Sequence, residues 1–433
     1  MDENLNDTEK FKDIEETPQA PKWPFIAKIL IGCLIILLIV LIIVIIVISL
    51  SKSKNKDKND KEDKKREIKE KAGYFEIWND LYGIKMANLS YVKNDTIENS
   101  FKKDGDNYNE EIGEINSGKD YPKNERNKYT LYIPYSSILK KDKNNGILLF
   151  IHGGSWTSGD KEDIEFLCSR YSKMGYITAT MGYTVLSGHY EQYNIYRILD
   201  EIKACIESIK DELVKLGFIQ DKLELAIGGV SAGAHISFLY GYSIKIPPIK
   251  IKFLINIVGP LSLEPEFWYK PAEFNNTLDD LEMDTVQKAI DNGTINEIFE
   301  ERVFIGLMNG FLGNIYNDND VKSMIIDNKI NNNSEKYQEM FKKVKYSFPI
   351  KFINNETPPT LCEYAGNDTL VGVGMYRFLK EQFEKYNRTL NLVYMRYANH
   401  DLISYNTENG IKAMRDIHYK VLEYAKQYFK FDE

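Results

Sequence analysis

The sequence predicts a doubly wound, mostly parallel α/β domain carried behind a single membrane-spanning helix. Three observations predict it. One uninterrupted apolar run lies near the N terminus, and short β-branched runs alternate with helix-length amphipathic segments from about residue 128. The central runs, such as GILLFI and FLINIV, are also apolar at every position, as strands covered by helices on both faces must be. The 433 residues carry 56 Lys and Arg against 64 Asp and Glu, a net charge of −8. That balance argues against nucleic acid as a partner, because neutralising phosphates needs clustered positive charge. Four cysteines in so long a chain exclude a disulfide scaffold.

Residues 1–24 are acidic, contain proline and show no periodicity, which reads as a disordered tail. A transmembrane helix follows over residues 25–50. Its apolar run, Ile29 to Leu50, has 22 positions and no charge. At helical rise it spans roughly 33 Å, enough for about 30 Å of hydrocarbon. A buried soluble helix would be shorter and keep a polar face. A cleaved signal peptide would start earlier and end on small residues. Cys33 lies within the run, as a packing residue or an acylation candidate. Residues 51–72 form a charged, low-complexity stalk, and residues 73–127 an N-terminal extension of the domain that follows.

Two signals disagree on membrane side. The stalk holds ten Lys and Arg against three in residues 1–23, which by the positive-inside rule places the domain in the cytosol. Nine Asn-x-Ser/Thr sequons, eight of them after the span, favour a lumenal or extracellular domain, since chance predicts only about three. The eight are Asn88, Asn94, Asn275, Asn292, Asn332, Asn355, Asn367 and Asn387.

Within residues 128–433 the expected strands are Tyr129–Ile133, Gly146–Ile151, Ile177–Tyr183, Leu223–Val230, Ile251–Val258, Thr360–Tyr364 and Leu390–Arg396. The clearest helix is Tyr196–Lys215, where Ile198, Leu199, Ile202, Cys205, Ile206, Ile209 and Leu213 recur at three- and four-residue steps. Leu261 to Phe352 breaks the rhythm. Rich in Asn, Glu and aromatics and without a clear strand, it reads as a mainly helical insertion.

Chemistry concentrates in three places. Gly229-Val230-Ser231-Ala232-Gly233 stands between a strand and a helix. A G-x-S-x-G pattern alone arises in roughly one chain in twelve of this length, so the strand–turn–helix context supplies its weight. Flanking glycines allow the tight turn that would lift Ser231 above the carboxyl end of the sheet, where open α/β sheets place their sites. The bland alternative for Ser231 is a helix N-cap. His152-Gly153-Gly154-Ser155-Trp156 follows the strand GILLFI. A developing oxyanion needs backbone N–H groups that no side chain obstructs, which Gly153, Gly154 and Ala232 could supply. Asp368 and His400 follow the last two strands. A serine hydroxyl needs a base to take its proton, and the imidazole needs an acid to fix its tautomer.

The competitors are weaker. His152 sits in the glycine loop and reads as structural. His235, one helical turn beyond Ser231, reads as a buried helix residue, and His418 among Lys and Tyr as surface. Glu363 belongs to a strand body, while Asp401 adjoins His400 too closely for an in-plane bond. Trp156, His189 and Trp268 are pocket candidates, with packing the plainer role for both tryptophans. No metal-ligand spacing is present, so no metal or organic cofactor is implied.

Taken together, HGGSW, Gly159-Asp160-Lys161, GVSAGAH and the late Asp and His resemble the α/β-hydrolase superfamily. More narrowly, the chain is similar to its HGG-type esterase/lipase branch, which includes feruloyl-esterase-like, kynurenine-formamidase-like and carboxylesterase members. The resemblance spans about Lys128 to Phe429. It implies Ser231 as nucleophile, Asp368 and His400 as its partners, Gly153, Gly154 and Ala232 as oxyanion donors, and residues 261–352 as a cap. The chain departs from the pattern at Ser155, where lipases of this class often carry a third glycine. The expected activity is that of a membrane-anchored serine hydrolase acting on a small-molecule carboxylic ester. An amidase or peptidase with the same machinery, and a tethered binding protein that lost turnover, are the alternatives.

Overall fold

The computed structural model describes residues 78–102, 105, 118–186, 192–264, 269–271, 295–297, 301–365, 368, 370–371, 375–395, 400 and 407–430. The expected membrane span, tail and stalk lie outside them. No helix among the described residues is long and apolar enough to cross a membrane.

Eight strands form one sheet: β1 (Gly83–Ser90), β2 (Lys128–Pro134), β3 (Asn145–Ile151), β4 (Ile177–Met181), β5 (Leu223–Val230), β6 (Ile251–Ile257), β7 (Thr360–Ala365) and β8 (Leu390–Met395). Their spatial order is β1-β2-β4-β3-β5-β6-β7-β8. β2 runs antiparallel to both neighbours, and every pairing from β4 to β8 is parallel. The mostly parallel sheet is as expected. The edge strand β1 was not foreseen, because GIKMANLS offers neither β-branched density nor alternation. Its register on β2 shifts between Met86 and Leu89, and Asn88 there has φ of 57°. A bulged, antiparallel edge of this kind resists further strand addition.

The sheet is covered on both sides because its strands are apolar on both. In β3, Ile147, Leu149 and Ile151 face one core with α2 (Ile195–Lys215) and α3 (Ala232–Ser243). Leu148 and Phe150 face the other, with α1 (Glu165–Lys173) and the last turns of a terminal helix over Thr407–Tyr428. α2 shows how local sequence sets a boundary. The Asn194 side chain accepts from Arg197 N at its start. At its end Gly217, φ 92°, lets Phe218 N reach Leu213 O at 3.0 Å and its own N reach Val214 O at 2.9 Å. This is a Schellman motif, and its Phe218 is buried.

The N-terminal extension is fastened to this core by a buried network on α2. Glu201, fully buried, accepts from Asn127 Nδ2 and Arg197 Nε at 3.0 Å each and from Thr184 N at 2.7 Å. Removing either partner of such a pair would strand a buried charge.

Between β6 and β7 the insertion carries two main helices, α4 (Glu301–Phe311) and α5 (Glu335–Val344). It is not purely helical. Tyr269–Pro271 pairs with Ile295–Glu297, and Ile325–Ile326 with Lys329–Ile330, in ladders too short to leave a periodic trace in the sequence. The terminal helix corrects a second expectation. His418 is buried rather than on the surface, its Nδ1 2.8 Å from Tyr171 Oη on α1. It shares the inward helix face with Val421 and Ala425, which its Lys and Tyr neighbours in the sequence disguised.

Candidate active site

Ser231 follows β5 directly and opens α3 with φ 55° and ψ −122°, a conformation that L-residues avoid. Two features hold it there. Its own N–H donates to Ile257 O at 2.9 Å, and its carbonyl accepts from Ala234 N and His235 N at 3.0 and 3.2 Å. The flanking glycines exist because the backbone passes so close. A Cβ on Gly229 would lie 2.4 Å from Ile151 O, and one on Gly233 2.1 Å from the same oxygen. No side chain fits in either gap.

His400 and Asp368 reach this serine from the carboxyl ends of β8 and β7. His400 Nε2 lies 3.0 Å from Ser231 Oγ, and its Nδ1 2.8 Å from Asp368 Oδ2. The carboxylate is itself fixed, since Oδ1 accepts from Leu370 N at 2.7 Å and Val371 N at 2.9 Å. Asp368 is 4% exposed. Three side chains 137 and 32 residues apart along the chain thus meet in one line of hydrogen bonds. Of the competing acids, Glu363 is fully buried in β7, where desolvation holds its carboxyl well above the carboxylate range.

The glycine loop lies against the elbow. A Cβ on Gly153 would stand 3.0 Å from Val230 O and 3.2 Å from Ser231 Cβ. Gly154 has φ 112° and its carbonyl accepts from Thr157 N and Ser158 N at 3.0 Å each. Ala232 is the first residue of α3, where a backbone N–H has no partner within the helix.

Side chains hold the loop from several directions. His152 stacks on Tyr183, ring centroids 4.3 Å apart, and its Nδ1 lies 2.7 Å from Gly153 O. Burial pushes its imidazole down to about 4, so the ring is neutral and its structural reading stands. Arg126, which belongs to no motif, donates from Nε to Tyr183 O at 2.8 Å and from Nη2 to Gly159 O. Gly159-Asp160-Lys161 begins a 3₁₀ turn in which Asp160 and Asp163 form a reciprocal cap. Trp156 is 3% exposed and packs edge-on against Phe311 of the insertion, so its indole is taken up by packing. His189 and Trp268 lie outside the described residues. Among the described residues no group of three or more His, Cys, Asp or Glu is spaced to hold a metal ion.

The rim is strained beyond its glycines. Ser155, Trp156, Ser231 and Val258 all have φ between 50° and 61°. Val258, a β-branched residue for which this region is costly, directly follows β6 beside the elbow.

The BD-FAE family model matches residues 131–383, more than half of the chain. The chain belongs to the BD-FAE family. It is therefore an α/β-hydrolase of the esterase type, as the resemblance of its motifs implied. No curated protein matches this BD-FAE chain. Among solved structures it is similar to a truncated carbohydrate esterase from gut microbiota, at 11% identity and TM-score 0.49, covering 80% of this chain and 98% of that one. Esterase B of Lactobacillus rhamnosis is similar at 12% identity and TM-score 0.48, covering 86% and 94%. Esterase 2 of Thermogutta terrifontis follows at 16% identity and TM-score 0.44, covering 69% and 88%.

Proposed function

We propose that the chain is a membrane-anchored carboxylic ester hydrolase in which Ser231 is the nucleophile, His400 the base and Asp368 the orienting acid. The observation that carries this reading is the pair of hydrogen bonds in series, Ser231 Oγ to His400 Nε2 and His400 Nδ1 to Asp368 Oδ2. With Nδ1–H donated to the carboxylate, Nε2 is left with its lone pair facing the hydroxyl. It takes the proton as Oγ bonds to the substrate carbonyl carbon. The oxyanion so formed is received by the amides of Gly153, Gly154 and Ala232. Nε2–H then protonates the departing alkoxide, leaving an acyl-serine. Water, deprotonated by the same nitrogen, attacks the acyl carbon, and the carboxylic acid leaves as Ser231 recovers its proton. Cleavage of amides by the same steps is the second reading, set below the first by membership of an esterase-type family.

A fluorophosphonate probe tests the assignment. The full-length protein is expected to label and Ser231→Ala not to, with turnover of p-nitrophenyl acetate reduced at least about 10⁴-fold in the variant. A folded wild type that stays unlabelled ends the proposal. A p-nitrophenyl series of increasing acyl length then separates a short-chain carboxylesterase from a lipase.

Anchoring by residues 29–50, with the catalytic domain lumenal or extracellular, is part of the same reading. The sequon asparagines among the described residues, Asn88, Asn94, Asn332, Asn355 and Asn387, are all exposed, which supports access by a glycan-transferring enzyme. The expected outcome is a membrane-pelleting protein, resistant to alkaline extraction, whose mobility increases after glycosidase treatment. An unshifted band would move the domain to the cytosol.

A further inference from the structure

The turn from Gly154 to Thr157 closes with Thr157 N bonded to Gly154 O at 3.0 Å, and its two central residues, Ser155 and Trp156, have φ of 51° and 61°. Positive φ at both central positions marks a mirror-image turn, a place normally given to Asn and Gly. Ser-Trp is an adverse pair for it, because a residue with a Cβ is strained in the left-handed region. Something outside the turn must therefore hold it. Trp156 Nε1 donates to His235 Nδ1 at 3.1 Å, and His235 Nε2 donates to Ser347 O in the insertion at 3.0 Å. Phe311 of α4 closes the arrangement, edge-on to Trp156 at 5.0 Å and stacked on His235 at 5.4 Å. His235 is fully buried on α3, one helical turn beyond Ser231.

We infer that His235 is a positioning residue that anchors the strained Ser155–Trp156 turn through Trp156 Nε1, so holding the Gly153–Gly154 amides where the oxyanion forms, while its other nitrogen fastens the insertion at Ser347. The inference rests on the proposed role of Ser231 and the glycine loop. Without an acceptor at Nδ1 the indole N–H loses its buried partner and the turn is free to relax toward right-handed φ. The amides two and three residues upstream of Trp156 then shift with it. A displacement of that kind falls on the transition state, because only there does the carbonyl oxygen carry full charge.

The two nitrogens can be separated by substitution. In His235→Asn the amide oxygen occupies roughly the Nδ1 position and keeps Trp156 anchored, while the bond to Ser347 is lost. In His235→Gln the amide reaches the Nε2 position and keeps Ser347, while Trp156 Nε1 is orphaned. Each variant loses one of two hydrogen bonds, so a merely structural role predicts similar melting temperatures and similar activities. For the full-length protein and p-nitrophenyl acetate, kcat of His235→Asn is expected within about threefold of wild type, and that of His235→Gln about 10- to 100-fold lower at little-changed KM, approaching the loss of one oxyanion donor. Trp156→Phe, which keeps the ring on Phe311 and removes only the N–H, is expected to behave as His235→Gln does. Equal kcat in the Asn and Gln variants, or an unimpaired Trp156→Phe, would overturn the inference while leaving a fluorophosphonate-reactive Ser231 untouched. A wild type unreactive to the probe would overturn the nucleophile assignment, and this inference with it.

Discussion

The elbow at Ser231 and the loop at Gly153–Trp156 face each other across the rim, and both keep non-glycine residues at positive φ. They are held by different means. The elbow is held sterically and locally: strand β5 runs into α3, a Cβ on Gly229 or Gly233 would lie 2.4 or 2.1 Å from Ile151 O, and the hydrogen bonds that fix its main chain are backbone to backbone. The loop is held by side chains that arrive from elsewhere, Arg126 before β2, Tyr183 after β4, His235 on α3 and Phe311 in the insertion. A turn made by close backbone approach tolerates almost no change in its own residues, whereas one made by remote anchors yields in small steps as each is removed.

The largest effect should come from the elbow. Gly233→Val is expected to cost more than about 3 kcal/mol, because backbone rather than a movable side chain occupies the space, and to abolish both probe labelling and a normal melting transition. A well-folded, reactive variant would contradict the steric account. Arg126→Met tests the loop. It removes donors from Tyr183 O and Gly159 O while keeping the bulk of the stem, and is expected to cost about 1–3 kcal/mol and roughly tenfold in kcat with labelling retained.

Acid should separate the two regions further, since two buried histidines, His152 and His235, bear on the loop and the elbow contains no titratable side chain. Burial pushes His152 down to about 4 and His235 down to about 3 from 6.5. Between pH 6.5 and those values the unfolded chain binds protons that the folded chain refuses, so stability falls as pH falls through that window and is fully present above it. The loss from His152 alone is on the order of 3 kcal/mol. In His152→Phe, which retains a ring to stack on Tyr183, the fall in melting temperature from pH 7 to pH 4.5 is expected to shrink. An unchanged slope would mean that His152 is not held neutral. The smallest effect belongs to Tyr183→Phe. Its hydroxyl reaches His152 O only at 3.4 Å, so stability and kcat should move by less than about 0.5 kcal/mol while the ring stack persists. A larger drop would show that the loop depends on the hydroxyl rather than on the stacked face.

Legibility followed the same division. The central strands and α2 could be read because apolar runs and a three-to-four periodicity are local properties, and boundaries such as Asn194 and Gly217 carry their own chemistry. Ser231, Asp368 and His400 stand out in the sequence because each follows a strand, and the structure sets them within hydrogen-bond distance of one another. β1 could not, since GIKMANLS shows no strand pattern of its own and gains its pairing only from β2. His418 looks exposed beside its Lys and Tyr neighbours in the sequence, and its burial comes from the helix face it shares with Val421. Arg126 left no signal at all, as an isolated arginine in a polar segment looks like any surface cation.

The sequence by itself determined which central segments become strands, where the backbone must turn sharply, and which side chains offer a hydroxyl, an imidazole and a carboxylate after successive strands. Those follow from covalent and short-range constraints: glycine's missing Cβ, the period of apolar residues, the nucleophilicity of a hydroxyl beside a base. Only the tertiary structure decided that Asp368 presents one oxygen to His400 and the other to two amides, and that the indole of Trp156 is fixed by a neutral histidine tied to the insertion. Hydrogen bonds between groups a hundred residues apart depend on distances of a few tenths of an ångström, which packing sets and no local pattern encodes.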